Sequence, residues 1–134
     1  MNKINSLFND LKQAHQRLAE VTSFPSGQVY QDASIQRFEF TFELSWKLMQ
    51  AIAIENGIQE SYGPKNSIRA AAQLNYINNA EAWFKALENR NLSTHLYQQQ
   101  VADTIFKEIP VFISLVGDFI ESVEAKSNPL QQPL

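Results

Sequence analysis

Arg37-Phe38-Glu39-Phe40-Thr41-Phe42-Glu43-Leu44-Ser45-Trp46-Lys47 alternates apolar and polar side chains as a half-buried strand would. Followed outward, the alternation gives way to a longer period. Ile35, Phe38, Phe42, Ser45, Met49 and Ile52 fall on one helical face, and Phe40, Leu44, Leu48 and Ala51 on a second. That pattern outruns the length of a strand, so the spacing predicts one helix over about Asp32 to Glu55. A helix with two apolar faces must be covered on two sides, which makes it the centre of a bundle or part of a subunit interface. Glu39, Glu43 and Lys47 share the remaining edge at four-residue steps. Glu43 and Lys47 are placed to pair, and the two carboxylates read as a solvated face rather than as an acid pair or half of a metal site.

Toward the amino terminus, Ile4, Leu7, Leu11, Ala14, Leu18 and Val21 lay a single stripe along an amphipathic helix, with His15 beside the seam, where a packed or half-exposed structural role is expected ahead of a ligand role. Ser23-Phe24-Pro25-Ser26-Gly27 ends that helix in a turn. Toward the carboxyl terminus, Asn56-Gly57 stops the central helix and Gly63-Pro64 starts a short one carrying Ile68, Ala71, Ala72 and Tyr76. Asn78 is placed to cap the next helix with Glu81 as its reciprocal partner, and Trp83, Phe84 and Leu87 supply its buried side. A long last helix follows Tyr97, with Val101, Ile105, Ile109, Phe112, Val116, Phe119 and Val123 on its stripe. Pro110 lies inside it and should kink or break it. The expected fold is all-α, an up-and-down antiparallel bundle of four to five helices that dimerises. One domain covers residues 1–126 and a frayed tail covers 127–134.

A chain of 134 residues, 44% hydrophobic, is enough for one domain with a real core. The chain contains no cysteine, which excludes disulfides and thiolate metal sites and suits a reducing cytoplasm. No apolar run is long enough to span a bilayer and the amino terminus lacks a signal-peptide core, so a membrane partner is not expected. The formal charge of −3 is the wrong sign for holding long nucleic acid through its phosphates. DNA is therefore not an expected partner, and any RNA contact must be local. The four glycines are scattered, so there is no phosphate-cradling loop and no dinucleotide fingerprint. Nothing in the sequence calls for a metal or an organic cofactor.

Chemistry concentrates between the last two helices, in Arg90-Asn91-Leu92-Ser93-Thr94-His95-Leu96-Tyr97. Arg offers a planar fork of donors to a phosphate, His exchanges a proton near neutral pH, and Tyr presents a hydroxyl. A plainer reading stands beside this one: Asn91 and Ser93 end one helix, Thr94 caps the next, and Arg90 and His95 are surface groups. If the segment cleaves RNA through the ribose 2′-hydroxyl, it needs a base, an acid and positive charge on the phosphorane-like transition state. One chain offers one suitably placed histidine. Two copies meeting at a two-fold axis would supply two imidazoles and two guanidiniums in a single cleft.

Arg90-Asn91, His95 and Tyr97, together with the aromatic run from Arg37 to Lys47, resemble the HEPN superfamily. Within it, the chain resembles the HepT-like group described as nucleotidyltransferase substrate-binding proteins, over roughly Leu7 to Val123. The resemblance implies a dimeric helical bundle encoded beside a small MNT-type nucleotidyltransferase. It also implies a metal-independent ribonuclease toxin whose activity is neutralised by transfer of AMP to a tyrosine. Carried onto this chain, it makes Arg90 and His95 catalytic candidates, Asn91 and Thr94 supporting or phosphate-binding groups, and Tyr97 the acceptor of AMP. The alternative it also allows is a non-catalytic subunit that binds nucleotide or substrate for the transferase.

Overall fold

In a computed structural model, which describes residues 2–127, the chain forms five α-helices and, among the described residues, no strand. They are α1 (Lys3–Ala19), α2 (Gln28–Glu55), α3 (Pro64–Gln73), α4 (Ala80–Leu92) and α5 (Gln99–Ser127), joined as an up-and-down bundle. The outer positions of the expected tail, from residue 128 on, lie outside the described residues.

Several boundaries have a local cause. The Asn2 side chain accepts from the Asn5 amide at 2.8 Å and caps α1. Beyond α2, Gly57 adopts φ +77°, a left-handed conformation that lets Ile58 N–H reach back to the Ala53 carbonyl at 3.0 Å. Pro64 occupies the first turn of α3, where its missing N–H costs no intrahelical bond. The cap of α4 is Asn79, whose side chain accepts from the Ala82 amide at 3.3 Å. The expected cap, Asn78, lies one residue too early, and two adjacent asparagines cannot be told apart by spacing.

The helix over the opening stretch is confirmed and begins earlier than expected, at Gln28, directly after Gly27. Its first apolar face is buried throughout: Ile35, Phe38, Phe42, Ser45, Met49 and Ile52 are all in the core. There α2 meets α1, α3, α4 and α5. Phe112 of α5 stands at the centre of an aromatic cluster, edge-on to Phe38 at 4.9 Å and to Trp83 at 5.6 Å, with Trp83 also edge-on to Phe119 at 6.0 Å. Each such pair adds roughly 0.5–1.5 kcal/mol beyond area burial. The second face divides: Leu48 is buried, Leu44 half-buried, and Phe40 is 57% exposed.

Helix α5 does not break at Pro110. The proline sits on the exposed side, so only one solvent-facing helical bond is lost while the stripe from Ile105 to Val123 stays against the core. His15 is structural, as expected: its Nε2 lies 3.0 Å from the Ile113 carbonyl oxygen and joins α1 to α5. No helix among the described residues is long and apolar enough to cross a membrane.

Candidate functional site

Helix α4 ends at Leu92, and Ser93–His95 form one 3₁₀ turn before the chain reaches Gln99 and α5. Arg90, in the last turn of α4, points back to α2: its Nη2 lies 2.5 Å from Glu43 Oε1, with both side chains partly exposed. That oxygen is buried and has no aligned hydrogen-bond donor, so the contact is a direct charge pairing. Glu43 Oε2 accepts from Trp46 Nε1 at 3.1 Å. One turn earlier, Glu39 Oε2 accepts from the Oγ of buried Ser93 at 2.7 Å, and Ser93 Oγ also lies 2.6 Å from the Arg90 carbonyl oxygen. The two carboxylates therefore hold the 3₁₀ turn and the arginine in place.

This arrangement corrects the solvated-face reading of Glu39 and Glu43. Glu43 does not pair with Lys47; it pairs with Arg90, and the Lys47 ammonium sits 6.0 Å over the Trp46 ring. The four-residue spacing is real, but a guanidinium from another helix outcompetes a flexible neighbour in water. The signal available in the sequence was a pair of carboxylates one turn apart on an aromatic-rich helix, with an arginine elsewhere in need of a counter-charge. Nothing in the sequence said that the two would meet.

Apart from Leu96, which packs on the core, the remaining residues of the segment face outward. His95 and Tyr97 are exposed, Tyr97 by 78%, and they touch: His95 Nδ1 lies 3.1 Å from Tyr97 Oη, with the rings edge-on at 5.7 Å. Which group donates depends on the imidazole tautomer. Gln98 Nε2 donates to the same phenol oxygen at 3.4 Å. Asn91 and Thr94 are exposed, and Thr94 Oγ1 donates to the Asn91 carbonyl at 3.2 Å. Thr94 thus does not cap α5, which starts five residues later. Within one chain, Arg90 is held by Glu43 and His95 by Tyr97, so the two candidates are anchored to different partners. Among the described residues, no three His, Asp or Glu side chains gather in a metal-sized group.

Tyr97 and Glu39 line a cleft of about 710 Å³ along α2, shared with Gln28, Asp32 and Gln36. A second groove, about 750 Å³, runs between α1 and α2 past Arg17, Arg37, Phe40 and Leu44. The larger groove carries none of the residues from Arg90 to Tyr97.

Against known proteins, residues 2–125 match the family model described as nucleotidyltransferase substrate binding protein like. A curated relative, a probable ribonuclease HepT from Haemophilus influenzae, is 29% identical over 137 aligned positions, covering 96% of this chain and 94% of the relative. A solved Thermus thermophilus protein superposes with a TM-score of 0.76 at 31% identity, over 83% of this chain and 96% of its own. A solved Haemophilus influenzae protein, described as having the fold of a substrate-binding domain of a nucleotidyltransferase, superposes at 0.69 with 25% identity, over 90% of this chain and 96% of its own. The chain belongs to the family of nucleotidyltransferase substrate-binding-like proteins.

Proposed function

We propose that the chain is a HEPN-type ribonuclease toxin, paired with an MNT-type nucleotidyltransferase that neutralises it by moving AMP onto Tyr97. The observation that carries this reading is the His95–Tyr97 contact: an exposed phenol oxygen 3.1 Å from the one imidazole of the segment. In the cleavage step the ribose 2′-hydroxyl gives up its proton to one His95 and attacks the adjacent phosphorus. The bond to the 5′-oxygen breaks, and the leaving oxygen takes a proton from the second His95 of a homodimer. Arg90 supplies positive charge to the phosphorane-like transition state, and Asn91 and Thr94 provide further polar groups for the phosphate. In the neutralising step the Tyr97 oxygen bonds to the α-phosphorus of ATP, pyrophosphate leaves, and the phenol proton passes to solvent. The resulting phosphodiester carries a negative charge beside His95 and blocks RNA from the imidazole by charge and bulk.

The homodimer is supported by the partly uncovered second face of α2. Phe40 is 57% exposed beside Leu44 and the α1–α2 groove, an apolar surface for a second copy to bury. A second reading, a non-catalytic subunit that binds nucleotide or substrate for the transferase, is favoured by the Arg90–Glu43 pair, because that guanidinium is already partly neutralised. RNA cleavage by the wild type and by His95→Ala tests the choice. Loss of at least about a hundredfold in rate is expected, the scale of general acid–base catalysis. Cleavage that persists undiminished would remove His95 from the mechanism. No cleavage by either protein, with AMP still added to Tyr97 by the transferase, would select the second reading.

A further inference from the structure

Beside the Tyr97 cleft lies a cavity of about 490 Å³ that the proposed chemistry does not use, between the turn preceding α2 and the first turns of α5. Phe24, Tyr30 and Phe106 line it with rings, and Gln28, Gln31 and Gln99 line it with amides. Phe24 and Tyr30 stand 5.7 Å apart at an interplanar angle of 57°, and the Arg37 guanidinium lies 5.0 Å over the Phe24 ring. Tyr30 and Phe106 remain 41% and 39% exposed, which is free ring surface rather than core.

Two of these amides are tied to one carboxylate. Gln31 Nε2 donates to Asp103 Oδ1 at 2.9 Å, and Gln99 Nε2 donates to the same oxygen at 2.8 Å and to Gln31 Oε1 at 3.0 Å. The hydrogen bonds from Gln31 and then Gln99 hold the Asp103 carboxyl below its ordinary range, so the anchor stays ionised. These bonds leave the second N–H of Gln31 and the Oε1 of Gln99 as a donor and an acceptor on side chains that line the same cavity as the rings. Ring faces for stacking beside a donor and acceptor for an edge are the recognition chemistry of an unstacked nucleobase. The volume falls in the range of small-molecule sites. Gln28 lines both this cavity and the Tyr97 cleft, so a ribose and phosphate attached to a base here would lead toward Tyr97.

We propose that the Phe24–Tyr30–Phe106 cavity is a nucleobase subsite, in which a base stacks on the rings and hydrogen-bonds Gln31 and Gln99. The choice of ligand class rests on the nucleotide-handling function proposed above. A base of an RNA strand and the adenine of an adenylate share this chemistry. The test uses isotope-labelled His95→Ala protein, which spares RNA from cleavage, titrated with AMP, with a short single-stranded oligoadenylate and with ribose 5-phosphate.

Saturable shifts of the Gln28, Gln31 and Gln99 side-chain amide signals are expected with AMP or oligoadenylate but not with ribose 5-phosphate. Tyr30→Leu and Phe106→Ala, both at partly exposed positions, should each weaken binding about tenfold, as loss of one stacking partner does. Shifts with oligoadenylate alone assign the base to RNA, and shifts with AMP assign it to the nucleotide. Equal shifts with ribose 5-phosphate, no shifts at these glutamines, or unchanged affinity in both variants would overturn the subsite. Because the readout is binding in a protein without His95, its failure leaves the cleavage result standing, and the converse also holds.

Discussion

The exposed imidazole of His95 and the phenol of Tyr97 share one hydrogen bond, yet the proposed function gives them opposite duties, cleavage and its silencing. Tyr97→Phe separates the two: incubation with the transferase and ATP followed by mass spectrometry is expected to show no added AMP, while the imidazole and RNA cleavage remain. AMP found on the variant would place the acceptor elsewhere. Glu43 is one of the two carboxylates that tie the segment to α2. Glu43→Ala should lower stability in urea by about 1 kcal/mol, a small figure because the pair with Arg90 is partly solvated. It should also shift Trp46 fluorescence, since the indole N–H loses its acceptor. Unchanged emission would mean that Trp46 and Glu43 do not interact in solution. At this scale the sequence named Arg90, His95 and Tyr97 by their chemistry, but it left Ser93 as a helix end and Glu39 and Glu43 as solvent-facing groups. Those three act across 47 to 54 positions of chain, and periodicity carries no information about such pairings.

At the scale of elements, the bundle was legible because apolar spacing and terminators agreed along nearly every helix. The Phe38-to-Trp46 alternation was overruled by its continuation at a period of three to four, and α2 follows that longer period for 28 residues. Phe112 links α2, α4 and α5 through Phe38, Phe42 and Trp83. Phe112→Ala should therefore cost about 3–5 kcal/mol, read as a lower midpoint in urea denaturation. A loss below about 1 kcal/mol would show that the cluster is loosely packed. Pro110 shows the limit of propensity arguments. A proline inside a helix is unfavourable, yet α5 continues because tertiary burial on both sides outweighs one missing bond on the exposed side. Pro110→Ala is expected to stabilise the fold by about 1–3 kcal/mol, with helical circular dichroism preserved or increased. A destabilised variant would contradict that explanation.

For the whole molecule, the acidic balance and the division of labour between α2's two faces point the same way. A net charge of −3 gives RNA no broad electrostatic landing surface, so the proposed activity must come from a small focused site. One chain supplies too few groups for such a site. The face of α2 bearing Phe40 offers the surface on which a second copy would supply the rest. The measurement that tests this most directly uses the absence of cysteine: Thr94→Cys, exposed and beside His95, carries a single spin label for a dipolar distance measurement. Paired loops at a shared cleft predict one narrow distribution below about 25 Å, less than the span of one domain of this size. No dipolar signal, or a separation beyond about 40 Å, the span expected when two such domains turn their loops apart, would contradict a shared active centre.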